Sequence, residues 1–240
     1  MRRRIGVVVA MASEAQAIVS ELFGGSEEIT EQIPYRFTSP EIEIALVVSG
    51  IGKVNAASAT TRLIDKFEPA EIVVVGLAGA LSNDLSVGDI VVADKVVQYD
   101  FDLRPLEASL GQLPGRKSPY LICDEGAVKR WKHVAEDLRT KDGLSSRSVV
   151  VGAVATGDRI VSNQTLKSEI RKGFPDTVCV EMESGAVAQV CISAGVPFSV
   201  VRVISDFADD TFTVKDVTHY LSKEGSRLIE LFISSLGRGE

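Results

Sequence analysis

Apolar and polar positions along this chain fall into two alternating patterns. Arg4 to Ala10, Ile72 to Val75, Ile90 to Tyr99, Ser148 to Ala155 and Phe198 to Ile204 are short, nearly continuous apolar runs. Such runs predict strands buried on both faces, as in parallel sheets. Tyr35 to Val48 predicts two further strands, with Ser39-Pro40 as the turn between them. The intervening segments carry apolar residues at helical spacing. They are Ala12 to Phe23, stopped by Gly24-Gly25; Val54 to Phe67, ending before Pro69; Asp124 to Arg139, with Trp131 on its buried face; Asn163 to Lys172; and Glu183 to Ala194. Val214 to Leu236 predicts a long closing helix, opened by Thr213 and Asp216 in the manner of a capping box. Glycines and prolines from Arg104 to Pro119 mark a long loop, of the kind that is often functional or covers an interface. The repeated strand–helix alternation, with no internal repeat or linker, predicts one α/β domain over residues 1–240. Its architecture is three-layered, a central mixed β-sheet flanked by helices.

Composition narrows the function classes. A net charge of -7, with no basic block beyond Arg2-Arg3-Arg4, speaks against nucleic acid and anionic membranes as partners. No stretch is long enough to span a bilayer. The N-terminus imitates a signal peptide, with three arginines, an apolar run and Ala10-Met11-Ala12. That run is short and interrupted by Gly6, and Ser13-Glu14-Ala15-Gln16 then opens a helix, so a first strand is the better reading. Cys123, Cys179 and Cys191 are odd in number and lack metal-ligand spacing, which predicts reduced thiols in a cytosolic protein.

The candidate chemistry lies in carboxylates. Val180-Glu181-Met182-Glu183 and Arg202-Val203-Ile204-Ser205-Asp206 each set acids beside a long apolar run. Buried charge is costly without a partner or a task, and the C-terminal ends of core strands are where α/β proteins bind ligands. Arg202, inside Val200 to Ile204, needs a buried anion, for which Glu183 is the candidate. Only two histidines exist, His133 in a polar helical stretch and His219 in the last helix, and both read as surface residues. Histidine-based triads and metal sites are therefore poorly supported. Asp209 and Asp210 read as loop charges. Gly76-Leu77-Ala78-Gly79-Ala80 and Ser49-Gly50-Ile51-Gly52-Lys53 follow strands and read as glycine turns, or as places of close backbone approach to a ligand.

The ordered set of Ala10-Met11-Ala12-Ser13-Glu14, Ser49-Gly50-Ile51-Gly52-Lys53, Gly76-Leu77-Ala78-Gly79, Val87-Gly88-Asp89-Ile90-Val91-Val92, Gly111-Gln112-Leu113-Pro114-Gly115, Val180-Glu181-Met182-Glu183 and Ser205-Asp206-Phe207-Ala208-Asp209 resembles the bacterial 5'-methylthioadenosine/S-adenosylhomocysteine nucleosidases of the nucleoside phosphorylase superfamily. The resemblance runs over nearly the whole length. It implies hydrolysis of the N-glycosidic bond of an adenine nucleoside, with no metal or organic cofactor. By this resemblance Glu14 positions and deprotonates the attacking water, and Arg202 lies near both. Glu183 binds the ribose hydroxyls and Met182 packs on the sugar. Asp206 protonates adenine N7 with support from Ser205, and the backbone of Val161 reads the adenine edge. Met11, Ile51, Leu77, Ala78, Gly79 and Ile160 are implied around the substrate. Family precedent implies a homodimer in which Leu103 and Leu106 enter the neighbour's pocket.

The implied chemistry suits these residue types. Cleavage of C1'–N9 builds positive charge on the ribose, which nearby carboxylates stabilise as in glycosidases. The departing purine needs a proton, so Asp206 must stay protonated near neutral pH, and burial at a strand end would raise its pKa. Leu77 stands where many members have serine or threonine, which argues for water rather than phosphate as nucleophile. Ile160 stands where many place a phenylalanine against adenine, a loss of about 0.5–1.5 kcal/mol of stacking. Ala108 replaces a bulkier aromatic, implying a roomier 5' pocket. An aminodeoxyfutalosine hydrolase, a phosphate-dependent phosphorylase and a nucleoside binder without catalysis are the rival readings.

Overall fold

The computed structural model describes residues 2–23, 30–32, 34–141 and 147–213. The chain opens with β1 (Arg3–Val9), α1 (Ala12–Phe23), β2 (Tyr35–Thr38), β3 (Ile42–Val48) and α2 (Lys53–Phe67). It continues through β4 (Glu71–Ala80), β5 (Ile90–Gln98), a 3-10 turn at Arg104–Leu106, β6 (Tyr120–Ile122) and α3 (Glu125–Lys141). β7 (Val149–Thr156), α4 (Gln164–Gly173), β8 (Thr177–Glu181), α5 (Ser184–Ala194) and β9 (Phe198–Asp206) follow. The expected helix over 214–236, with Asp216 and His219, lies outside the described residues. Among the described residues no helix is long and apolar enough to cross a membrane.

The strands form one mixed sheet, as expected. β3, β1, β4 and β9 run parallel to one another, while β2 joins β3, β8 joins β4 and β5 joins β9 antiparallel. β4 is the hinge of the arrangement. Its first half pairs with β1, and Gly79 and Ala80 at its far end pair with β8, while β9 runs along its other side. β8 pairs with β7, β7 with β5, and β5 with β9, so five strands close a ring. Closing it requires a long β4. Gly76-Leu77-Ala78-Gly79-Ala80 is therefore strand, not the glycine turn that its composition suggests. Ser49 to Lys53 is a turn as expected, with Gly50 and Gly52 at φ of 81° and 96°, a region that costs a side-chain-bearing residue energy.

Alternate residues of the strands feed two cores. Val7, Val73, Val75, Val201 and Val203 pack with Ala15 of α1 and Trp131 of α3. Val8, Ile72, Val74, Val200 and Ile204 pack with Leu63 and Phe67 of α2 and Val187 of α5. Helices thus cover both faces, giving the three expected layers. Trp131 is buried and its indole N–H donates to Ser199 Oγ at 2.8 Å, which satisfies the one polar atom of that ring. A third cluster joins Leu166, Ile170 and Phe174 around α4 to Tyr99, Val161 and Ala208. All three cysteines are free and buried, and burial pushes their thiols up.

Candidate active site

The C-terminal ends of β1, β4, β8 and β9 converge on one cavity. α1 starts two residues beyond β1, so Glu14 falls in its first turn. The Glu14 carboxylate bends back on its own helix start, where free N–H groups favour an anion. Its Oε2 accepts from the backbone of Ala10 at 3.1 Å and Met11 at 2.9 Å. Its Oε1 accepts from the Leu77 backbone at 3.0 Å. These bonds fix the side chain in one orientation. Glu14 is almost wholly buried, and that burial raises its pKa against the opposing pull of Arg202 and the three N–H groups.

Arg202 lies in the middle of β9 and is 1% exposed. Its guanidinium pairs most closely with Glu181, and only at longer range with the Glu183 expected from the sequence. Nη2 makes a short contact to Glu181 Oε2, another of 2.8 Å to Ser184 Oγ, and stays 3.7 Å from Glu183 Oε2. The reason is local. Glu181 ends β8 and faces the ring interior, whereas Glu183 is the N-cap of α5 and turns toward the loop after β3. There Glu183 Oε1 accepts from the Gly52 backbone at 3.0 Å. Burial, then the nearby charge of Glu181, pushes the Glu183 carboxyl well above its ordinary range.

β4 approaches this node because it carries glycine. A methyl group at Gly76 would lie 2.4 Å from Arg202 Nη1 and 2.9 Å from Glu14 Oε1. One at Gly79 would lie 2.8 Å from Asp206 Oδ1. The glycines are thus gaps in a strand through which charged groups reach the backbone. Leu77 contributes its main chain, with its N–H on Glu14 and its carbonyl 3.4 Å from Arg202 Nη1.

Asp206 ends β9. It is half-buried, less enclosed than its apolar strand suggested, because the chain turns away immediately after it. Its Oδ1 accepts from the Ala208 backbone at 2.9 Å, and Ala208 adopts a left-handed φ of 51° to make that turn. Ser205 Oγ is 2.7 Å from Asp206 Oδ2 and 3.3 Å from the Ala78 carbonyl. The hydroxyl can donate to an ionised Asp206, or donate to Ala78 while accepting from a protonated one. Ser205 therefore supports either protonation state. Lys167, a buried residue of α4, donates to the Phe207 carbonyl at 2.7 Å and pins the same turn.

The cavity gathers Met11, Glu14, Ile51, Leu77, Ala78, Gly79, Ile160, Val161, Met182, Glu183, Arg202, Ser205 and Asp206. Val161 is buried, while Ile51 and Ile160 are more than half exposed at 52% and 59%. Leu103 and Leu106 do not line it. They flank and close the 3-10 turn, where Leu106 is 74% exposed. Sequence reasoning missed Ala10, Arg159, Val180, Glu181 and Phe212 as lining residues. For Glu181 a signal existed, namely a second acid two residues before Glu183 at the end of an apolar run. His133 is exposed, as expected.

Comparison with known proteins agrees with this geometry. The family model described as phosphorylase superfamily matches residues 4–236. A 5'-methylthioadenosine/S-adenosylhomocysteine nucleosidase of Geobacillus thermodenitrificans is 38% identical over 195 residues, covering 81% of this chain and 79% of that protein. A Helicobacter pylori nucleosidase variant solved with 5'-methylthioadenosine in its active site superposes with a TM-score of 0.86 at 30% identity, covering 99% of both chains. A futalosine hydrolase of Helicobacter pylori superposes with a TM-score of 0.83 at 30% identity, covering 97% of this chain and 98% of that one. The extent of these matches, and the convergence of the acidic residues on one cavity, place the chain: it belongs to the phosphorylase superfamily and, within it, to the 5'-methylthioadenosine/S-adenosylhomocysteine nucleosidases.

Proposed function

We infer that this chain is an N-glycosyl hydrolase that releases adenine from 5'-methylthioadenosine and/or S-adenosylhomocysteine. The observation that carries the reading is the meeting of a buried, backbone-oriented Glu14 and a backbone-held Asp206 in the lining of one cavity. Glu14 holds a water and takes its proton as the oxygen adds to C1'. Its raised pKa suits it to that task, since a base works best when its pKa nears the working pH. The C1'–N9 electron pair leaves with the base, and Asp206 delivers a proton to N7. Arg202 steadies the water beside Glu14. Glu183 accepts from the ribose hydroxyls, Met182 packs on the sugar, and the Val161 backbone reads the adenine edge. Ribose charge in the transition state is then met by carboxylates in a water-poor site.

Water as nucleophile is supported by the floor beside Leu77. There Glu14 occupies the backbone N–H and Leu77 brings no side-chain donor for phosphate. The futalosine reading is less favoured, since the curated relatives at 38% and 34% identity bear the methylthioadenosine/S-adenosylhomocysteine name. The enzyme works as a cytoplasmic single-domain homodimer without a metal or organic cofactor. Leu103 and Leu106 complete the neighbour's 5' pocket. The exposed apolar Leu106 and Val54 support that assembly, since isolated large apolar groups at a surface favour being covered. Adenine release from methylthioadenosine, with and without phosphate, tests the reading. Release without phosphate is expected. Release only with phosphate would make the protein a phosphorylase, and no release under either condition would overturn the assignment.

A further inference from the structure

The Arg202 node contains one carboxylate more than the proposed reaction uses. Glu181 is buried, and every partner it has is a donor. Thr156 Oγ1 donates to its Oε1. The backbone N–H groups of Glu183 and Ser184, the Ser184 hydroxyl and Arg202 Nη2 all converge on Oε2, at 2.9 Å, 2.9 Å and 3.0 Å for the first three. A carboxylate so surrounded has no lone pair left over for a ligand and sits on the free N–H groups that open α5. It is a fixture of the protein rather than a contact for the substrate.

Its position decides where Arg202 goes. Glu181, Glu183 and Glu14 all lie around one guanidinium. Left to itself, Arg202 could pair with any of them. Glu181 and Ser184 hold Nη2 on the β8 side, so that its ion pair with Glu183 stays at 3.7 Å. Glu183 keeps Oε1 on the Gly52 N–H, while Oε2 makes only the 3.7 Å ion pair with Arg202, too long for a hydrogen bond, and the residue lines the cavity. Resting on the nucleosidase reading, we propose that Glu181 is a positioning residue: it anchors Arg202 beside Glu14 and thereby holds the Arg202–Glu183 ion pair at its long separation, leaving Glu183 open to the sugar hydroxyls. Glu181 touches no reacting atom in this scheme and acts through its two neighbours.

The test compares wild type with Glu181→Gln, Glu183→Gln and the double variant. It measures adenine release and equilibrium binding of 5'-methylthiotubercidin. In Glu181→Gln the guanidinium is free to close onto Glu183, so KM and the analogue Kd rise at least tenfold. The acid limb of the pH profile moves to lower pH, because Glu183 loses a like charge and gains a cation. With Glu183→Gln already present, adding Glu181→Gln changes Kd by less than threefold, since the route of its effect is gone. A residue needed only for folding would lower Tm while leaving Kd and the pH limb of the folded protein in place. Should Glu181→Gln fail to fold, Ser184→Ala carries the same test. It removes a hydroxyl shared by Glu181 and Arg202, and is expected to raise Kd in the same direction by severalfold. Wild-type activity together with an unchanged Kd and pH limb in Glu181→Gln, or in Ser184→Ala if that variant alone folds, overturns the proposal. An equal effect of Glu181→Gln with and without Glu183 also overturns it. A wild type that neither releases adenine nor binds the analogue sinks the functional reading itself.

Discussion

The floor of the cavity and its rim are built from opposite materials. On the floor, Glu14, Glu181, Glu183 and Arg202 are all buried, each held by hydrogen bonds or ion pairs to groups distant in sequence. On the rim, Ile51 and Ile160 stand in solvent, and Leu106 projects from a separate surface turn. This reverses the usual sorting of charged and apolar groups. Charges that must stabilise a transition state work best when oriented before the substrate arrives, and folding does that on the floor. Apolar groups that remain uncovered gain only when a ligand or a second chain covers them. The floor is held together within one chain, whereas the rim leaves apolar groups in solvent.

Five substitutions would break or sharpen that contrast. The largest effects belong to the floor. Asp206→Asn and Glu14→Gln are each expected to lower turnover by more than tenfold, toward the ~10²–10⁴ typical of a lost acid or base. The measurement is single-turnover adenine release, and near-normal rates in both variants would dispose of the mechanism. Gly76→Ala comes next. Its methyl group must displace Arg202 or Glu14, at a cost of about 1–3 kcal/mol of overpacking and at least a tenfold fall in kcat/KM. Thermal melts paired with kinetics separate the two losses.

Glu183→Gln tests electrostatics through stability. Burial raises the Glu183 pKa in the folded protein, so the wild type is favoured while this group stays neutral. That contribution is complete below the unfolded carboxylate pKa and is lost as pH rises through the raised folded value. The glutamine cannot ionise and loses nothing. The Tm of Glu183→Gln minus that of wild type should therefore climb between pH 5 and pH 9, and a flat or falling difference would contradict the assignment. The smallest effect is on the rim. Leu106→Ala leaves the melting temperature of the protein within a few degrees but raises KM severalfold and weakens dimerisation, as read by sedimentation. Unaltered KM and oligomeric state would remove Leu106 from the 5' pocket.

The contrast also explains what could be read from the sequence. Long apolar runs mark buried strands unambiguously, so β1, β5, β7 and β9 and helices α1 and α4 fall within a residue or two of their expected spans. β8 and β6 escaped because five and three residues carry too little periodicity. The second half of β4 escaped for a chemical reason. Its glycines look like turn residues, and only the third dimension reveals Arg202 and Asp206 where side chains would be. The same limit applied to Arg202. A buried arginine predicts a buried acid, but two acids lie within three residues; Arg202 pairs with both, and strand direction makes Glu181 the nearer one. The residues implied as catalytic or around the substrate gathered into one cavity, whereas Leu103 and Leu106 remain outside it.

β9 hydrogen-bonds to β4 on one side and to β5 on the other, and the stretch Val201–Val203 lies within both pairings. Arg202 is the middle residue of that stretch. Fraying and loop opening expose amides at little free-energy cost, but the interior of a doubly paired strand is released only with the whole structure. In deuterated water the amides on either side of Arg202 should therefore be among the slowest in the molecule to exchange. At Arg202 the floor has no private route to disorder: its backbone is released only when the two flanking strands part from β9.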